Sequence, residues 1–388
     1  MKKKQISERA QLLAPSGIRK FFDLLSQMEG VISLGVGEPD FATPWHIREA
    51  AIHSLEQGQT MYTSNAGMPA LRKEAARYLK DNYGLTYNPD TEILITVGVS
   101  EGLDLATRAT LNPGDEVIIP DPCYVSYPAC VTLAGGNVIR VATCGESNFE
   151  LDAAAVEAKI TAKTKAIIIG YPSNPTGAVM PLKKMEALGQ VARRHNLLLI
   201  SDEIYAKLTY NNPHVCVAAL PDMKDSTVLL GGFSKCYAMT GWRIGYAAAT
   251  SDIIAAMTKI HQYTIMSAPT MGQVAALEAL KNGQRDTEEM VEDYNRRRLI
   301  MLSGFKDIGL DCFEPKGAFY TFPSIKRTGL SSEQFAEKLL LEEKVAVVPG
   351  TAFGECGEGY IRCCYATSME EIEVALKRLE HFIKKYNT

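Results

Sequence analysis

A chain of 388 residues with 46% hydrophobic and 22% charged side chains has the makeup of an ordinary globular protein, and it is longer than one small core needs. Its net charge of -4 offers no polyanion-binding face, which argues against a nucleic-acid partner. Lys2, Lys3 and Lys4 are followed by Gln5 to Arg9 in place of an apolar stretch, so neither a signal peptide nor a membrane span is expected; nine cysteines without a C-x-x-C pair point to reduced thiols in a cytoplasmic protein, and six histidines without ligand spacing point to no metal.

Residues Ile6 to Glu29 read as an arm and an amphipathic helix, with Ile18, Phe21, Phe22, Leu24 and Leu25 on its apolar face. In the next segment Gly35 and Gly37 flank Val36, which suits a backbone that approaches a ligand closely or a plain turn. From Pro44 to about Asn282, short apolar runs alternate with helical patterns. The runs are Ile93–Val97, Glu116–Ile119, Val138–Ala142, Lys165–Ile169, Leu197–Ser201, Thr227–Leu230 and Ile244–Ala249, and they predict an α/β fold: a mostly parallel sheet with helices on both faces. After a helical pattern at Asp286–Leu302, short strands at Ala318–Phe322, Val345–Val348 and Tyr360–Cys364 mix with helices at Ser332–Glu342 and Glu370–Lys384, the habit of a smaller α+β domain. The expected division is 1–43 as arm and part of the small domain, 44–285 as the large domain and 286–388 as the small C-terminal domain.

If the sheet is parallel, the residues that follow each strand gather along its carboxyl edge, where open α/β folds place their ligands. Gly98-Val99-Ser100-Glu101-Gly102 opens a helix there, and free N–H groups at a helix start suit a phosphate, although ordinary capping reads the same. Tyr124 is fixed behind Pro120 and Pro122, and Asn174 stands between Pro172 and Pro175. Asp202 ends an apolar run, where an isolated carboxylate needs a partner, and Tyr205 follows one turn later. Lys235 follows Thr227–Leu230, and Arg243, whose planar fork matches a phosphate, precedes the last run.

The stretch Gly232-Phe233-Ser234-Lys235, with Gly241 and Arg243 beyond it, resembles the lysine signature of the aspartate aminotransferase family, the fold type I enzymes that use pyridoxal 5'-phosphate (PLP). The likeness runs from about Ser16 to the C-terminus. It implies that Lys235 carries the cofactor and acts as the base, that Asp202 faces the ring nitrogen, and that Tyr205 and Asn174 reach the ring oxygen. By the same resemblance Tyr124 stacks on the ring, and Val99, Ser100 and Arg243 hold the phosphate. Tyr62 matches a tyrosine that reaches the phosphate of a neighbouring subunit, which implies a homodimer with shared sites. Gly37, Asn174 and Arg362 match the groups that bind the substrate carboxylate. Gly232 departs from relatives that carry Ser there, so this phosphate cup is expected to lack one hydroxyl.

The implied reaction is ping-pong transfer of an amino group from an L-amino acid, an aromatic or related donor, to a 2-oxo acid such as 2-oxoglutarate. Ser16 to Phe21, Tyr171 to Pro175 and His261-Gln262-Tyr263 resemble aromatic aminotransferases and equally N-acetyl-L,L-diaminopimelate aminotransferases. Ser100 stands where some aspartate-specific relatives carry Lys, which argues against aspartate as the main donor. A PLP-dependent carbon–sulfur lyase or decarboxylase is a competing reading, against which Met239 to Arg243 and Arg362 favour transamination. A transcription regulator with an aminotransferase-like sensor needs a basic helix-turn-helix ahead of Ser16, where only about fifteen residues stand.

Overall fold

Strand residues of the main sheet alternate between two apolar faces. Leu94, Val117, Ile119, Ile168, Ile200, Val228 and Leu230 pack on one side, while Ile93, Ile95, Ile118, Ile167, Ile169, Leu199 and Leu229 pack on the other. Both sides of the inner strands are covered by helices, so these read as nearly continuous apolar runs, whereas the edge strand Asn137–Ala142 exposes Asn137 and Arg140. Helices Gly98–Thr110, Ser126–Ala134 and Ser251–Thr264 lie on the first side; Trp45–Glu56, Pro69–Tyr83, Leu182–Arg194 and Thr270–Asn282 lie on the second. This is a computed structural model and it describes residues 6–13 and 28–386, so the helix face expected on Ile18 to Leu25 lies outside the described residues.

In chain order the strands are β1 (Ile32–Ser33), β2 (Ile93–Thr96), β3 (Glu116–Asp121), β4 (Asn137–Ala142), β5 (Thr164–Ile169), β6 (Leu198–Asp202), β7 (Thr227–Gly232), β8 (Gly245–Ala248), β9 (Tyr320–Thr321), β10 (Val345–Ala346), β11 (Val348–Pro349) and β12 (Ile361–Cys364). The main sheet has the order β2-β8-β7-β6-β5-β3-β4. Its five strands from β7 to β4 are parallel, but β8 runs antiparallel to both β7 and β2. All seven expected runs form strands, and the Ile244–Ala249 run is the one that reverses direction. That reversal matters for the site: the chain leaves β7 and enters β8 at the same edge, which brings both Lys235 and Arg243 to the carboxyl ends of the parallel strands.

The remaining strands form two small sheets. β1 pairs in parallel with β10, and β11-β12-β9 is antiparallel. The expected single strand Val345–Val348 is thus two short ones that serve different sheets. A separate apolar cluster binds these elements to helices Gln284–Asp307, Ser332–Glu343 and Met369–Tyr386 through Tyr294, Phe305, Phe335, Leu339, Phe382 and their neighbours. Tyr205, Leu208 and Tyr210, from the loop after β6, join that cluster, and so the carboxyl edge of the main sheet packs against the small sheets. No helix among the described residues is long and apolar enough to cross a membrane.

Candidate active site

A cavity of about 360 Å³ opens where β9 and β12 face the carboxyl edge of the main sheet, and all the expected site residues except Tyr62 line it. A larger cleft of about 510 Å³, beside Tyr171, His214 and Lys316, contains none of them.

At one end of the cavity the helix Gly98–Thr110 begins with no side-chain cap. The N–H groups of its first turn therefore point free of the helix, with Ser100 exposed beside them. The approach around them is close. A Cβ on Gly98, whose φ is +73°, would lie 2.5 Å from Arg243 Nη2, and one on Gly245 would lie 2.8 Å from the Gly98 carbonyl carbon and the Val99 nitrogen. Bare backbone at both positions lets the helix start, β8 and the Arg243 guanidinium converge on one spot, a combination of partial and full positive charge suited to a phosphate.

In the middle, Asp202 closes β6 and is buried. Its Oδ1 accepts from the Ile204 N–H at 3.1 Å and its Oδ2 accepts from the Tyr127 hydroxyl at 3.0 Å. Desolvation pushes its pKa up to about 6, against the lowering effect of those two bonds. Among the described residues no Lys, Arg or His nitrogen pairs with it, so this buried carboxylate has room for a cationic partner that the chain does not supply.

Across the cavity Lys235 Nζ donates to the Gly37 carbonyl at 2.7 Å, and burial draws its pKa down to about 8. The contact of Gly37 seen here is thus through its carbonyl, to the lysine. Tyr205 and Tyr320 share a hydroxyl–hydroxyl bond of 2.7 Å. Arg362 on β12 donates from Nη1 to Asn174 Oδ1 at 2.9 Å and from Nη2 to the Gly35 carbonyl at 2.7 Å, while its Nε is buried without a partner. Its guanidinium lies 4.5 Å from the Tyr320 ring centre and 4.8 Å from that of Phe353. Tyr124 lines the wall, edge-on to Tyr127 at 5.6 Å.

Residues 29–379 match the family model described as aminotransferase class I and II. The chain belongs to this family. Among its relatives, the putative aminotransferase YugH of Bacillus subtilis (strain 168) is 56% identical over 98% of both chains. The aspartate aminotransferase of Pyrococcus abyssi (strain GE5 / Orsay) is 44% identical, again over 98% of both. The aromatic aminotransferase of Pyrococcus horikoshii OT3 superposes with a TM-score of 0.90 at 43% identity, covering 94% of this chain and 99% of the other.

This class I/II aminotransferase is a PLP enzyme, and its cavity fits that cofactor. The glycine-floored anion site suits the phosphate, the unpaired Asp202 suits a ring nitrogen that carries a proton, and Lys235 is an amine of lowered pKa within the same space. The aminotransferase carries Tyr62 elsewhere: it is 80% exposed, outside the cavity, next to Met61 at 82%. Sequence reasoning missed Tyr127 and Tyr320. Tyr127 had a faint signal, three residues after Tyr124 at the start of a helix; Tyr320 had none, because nothing in the run Ala318–Phe322 marks which residue faces the cavity.

The Gly232 expectation acquires a steric cause. A Cβ at Gly232 would lie 2.8 Å from both Ile204 Cδ1 and Val99 Cγ2, so these two side chains occupy the place that a serine would need.

Proposed function

We propose that this aminotransferase moves the amino group of an aromatic L-amino acid to 2-oxoglutarate. The observation that carries the donor class is the cavity's charge inventory: its lining cations are Lys235, Arg243 and Arg362, each with a role in holding cofactor or α-carboxylate, and Leu103, Ile204, Tyr124 and Tyr320 supply apolar and aromatic wall. Ser100, also in the lining, stands where by the resemblance some aspartate-specific relatives carry Lys. The choice of 2-oxoglutarate as acceptor rests on the family resemblance. Relatives named aspartate aminotransferase and probable N-acetyl-LL-diaminopimelate aminotransferase define the alternatives. A panel of amino donors assayed against 2-oxoglutarate tests the reading: a higher kcat/KM for aspartate or the acetylated diamino acid than for phenylalanine or tyrosine would overturn it.

On this reading Arg243, Ser100 and the N–H groups at Val99 hold the phosphate, Tyr124 stacks on the ring, and Asn174 and Tyr205 bond the ring oxygen. Arg362, Asn174 and Gly37 orient the substrate so that its Cα–H faces Lys235 Nζ. Bound PLP withdraws the electron pair left at Cα when its proton is removed. Lys235 would take that proton and hand it on within the site, a task for which a pKa near 8 suits it far better than the usual lysine value of about 10.4. Asp202, held as an anion by Ile204 and Tyr127, favours a proton on the ring nitrogen. Hydrolysis by one water would release the 2-oxo acid and leave the amino group in the site, and a second 2-oxo acid would take it up by the reverse sequence with release of that water, which gives ping-pong kinetics.

The same reading treats 44–285 as the large domain and 1–43 with 286–388 as the small one, supported by the β1–β10 pairing. It also includes a homodimer with shared sites, supported by the exposed, apolar setting of Met61, Tyr62 and Tyr263. A cytoplasmic setting is supported by the free cysteines.

A further inference from the structure

Tyr127 is 4% exposed and sits in the first turn of the helix Ser126–Ala134, where its backbone N–H donates to the Tyr124 carbonyl at 3.1 Å. One turn of chain therefore fixes both the aromatic wall of the cavity and the hydroxyl that reaches Asp202. Room for that hydroxyl is made by Gly170, just beyond β5, since a Cβ there would collide with the Tyr127 oxygen and lie 3.4 Å from the Asp202 Cβ. Three elements from different parts of the chain thus meet at one carboxylate. The remaining oxygen of Asp202 is taken by the Ile204 N–H, so both oxygens have a donor and the carboxylate plane cannot rotate freely.

We propose that Tyr127 is a positioning residue which, through its hydrogen bond to Asp202, decides on which side of the contact between carboxylate and ring nitrogen the proton resides. This rests on the reading that Asp202 faces the ring nitrogen. A buried tyrosine needs a partner for its hydroxyl, and here that partner is the Asp202 carboxylate. A hydroxyl donated to a carboxylate stabilises its anionic form, whereas desolvation favours the protonated form. At Asp202 these two effects oppose each other, with desolvation the larger. The other charged groups that bear on Asp202 are Lys235, which favours the anion, and Glu203, which disfavours it. Glu203 is turned away, accepting from Ser201 at 2.6 Å and contacting His214. Burial holds the Tyr127 phenol far above its usual range, so it stays a donor at every working pH. Without that donor the carboxylate becomes the better proton acceptor, and the proton shifts from the ring toward Asp202.

The test uses the holoenzyme loaded with PLP labelled with ¹⁵N in the ring, and reads the ring nitrogen by NMR across a pH series. Wild type is expected to show a protonated ring nitrogen. Tyr127→Phe, which deletes one oxygen, is expected to move that signal toward an unprotonated nitrogen across the series, the proton's partition between ring and Asp202 shifting about tenfold. As a second reading without cofactor, ¹³C NMR of the apoenzyme is expected to show the Asp202 carboxyl titrating about one unit higher in Tyr127→Phe. If Asp202→Asn changes the ring-nitrogen signal and Tyr127→Phe leaves both signals as in wild type, the role given to Tyr127 is overturned. If Asp202→Asn itself leaves the ring nitrogen unchanged, the placement of Asp202 fails, and the proposal with it.

Discussion

Arg362 on β12 donates to Asn174, which lies 188 residues away in the loop after β5, and the two side chains meet at 2.9 Å across the mouth of the cavity. The guanidinium thereby has two of its donors occupied and one, Nε, buried with no acceptor. A buried donor without a partner costs about 1–3 kcal/mol, and a substrate carboxylate would relieve it. Arg362→Lys keeps the charge but loses the planar fork, so kcat/KM is expected to fall roughly ten- to a hundredfold. On the proposed function both half-reactions use the same anchor, and the loss should therefore appear for amino donor and 2-oxo acid alike. Steady-state kinetics with each varied in turn would check this; a loss confined to one would mean that Arg362 reads a side chain.

Lys235 should be the residue that carries the cofactor. Borohydride reduction followed by peptide mapping is expected to find PLP on Lys235 alone, and Lys235→Ala should abolish both the label and turnover. Attachment requires the neutral amine, whose fraction rises with pH. Because burial lowers the Lys235 pKa to about 8, the rate at which the apoenzyme captures PLP should climb through pH 8 and level off above it. A midpoint near 10 would show a solvated lysine.

In the apoenzyme the Asp202 pKa is raised from 3.8 to about 6. Between those values the folded state binds more protons than the unfolded chain, so this group's contribution to stability is present below pH 3.8 and is lost as pH rises through 6. Urea unfolding of the apoenzyme at a series of pH values should therefore show a component that declines across this window in wild type and is missing from Asp202→Asn. The same slope in both proteins would assign it to another group.

Gly232→Ser should weaken cofactor binding even though it adds a hydroxyl near the expected phosphate site. Its Cβ would press on Ile204 Cδ1 and Val99 Cγ2 at 2.8 Å, and overpacking of this kind costs about 1–3 kcal/mol. A fall in PLP affinity of roughly tenfold, measured by fluorescence quenching, is expected, with partial recovery when Val99→Ala is added. Unchanged or tighter binding in the single variant would mean that the two side chains yield readily.

Tyr62 is exposed and outside its own chain's cavity, the condition for acting in a partner's site. Mixing Tyr62→Phe with Lys235→Ala subunits should restore activity in hybrids, because one site of each hybrid would regain both residues. No recovery, with subunit exchange verified by mass spectrometry, would show that each site is built within a single chain.

What the sequence determined is local. Seven apolar runs became the seven strands of the main sheet because a strand buried on both faces needs little more than a short continuous apolar stretch, and a residue that follows such a run is bound to appear at the sheet's edge. The strand ends supplied the segments, the resemblance to the aminotransferase family picked out Val99, Ser100, Tyr124, Asn174, Asp202, Tyr205, Lys235 and Arg243 within them, and all of these line one cavity. Direction and pairing are not local. Nothing in Ile244–Ala249 marks it as antiparallel, and nothing in Val345–Val348 says that its two ends pair with strands from opposite ends of the chain. Tyr127 and Tyr320 likewise look like core aromatics until the tertiary fold aims their hydroxyls at Asp202 and Tyr205. Contacts over such separations are selected by the packing of whole elements, and only the assembled structure, where Gly170 leaves space for one hydroxyl and Arg362 meets Asn174, decides them.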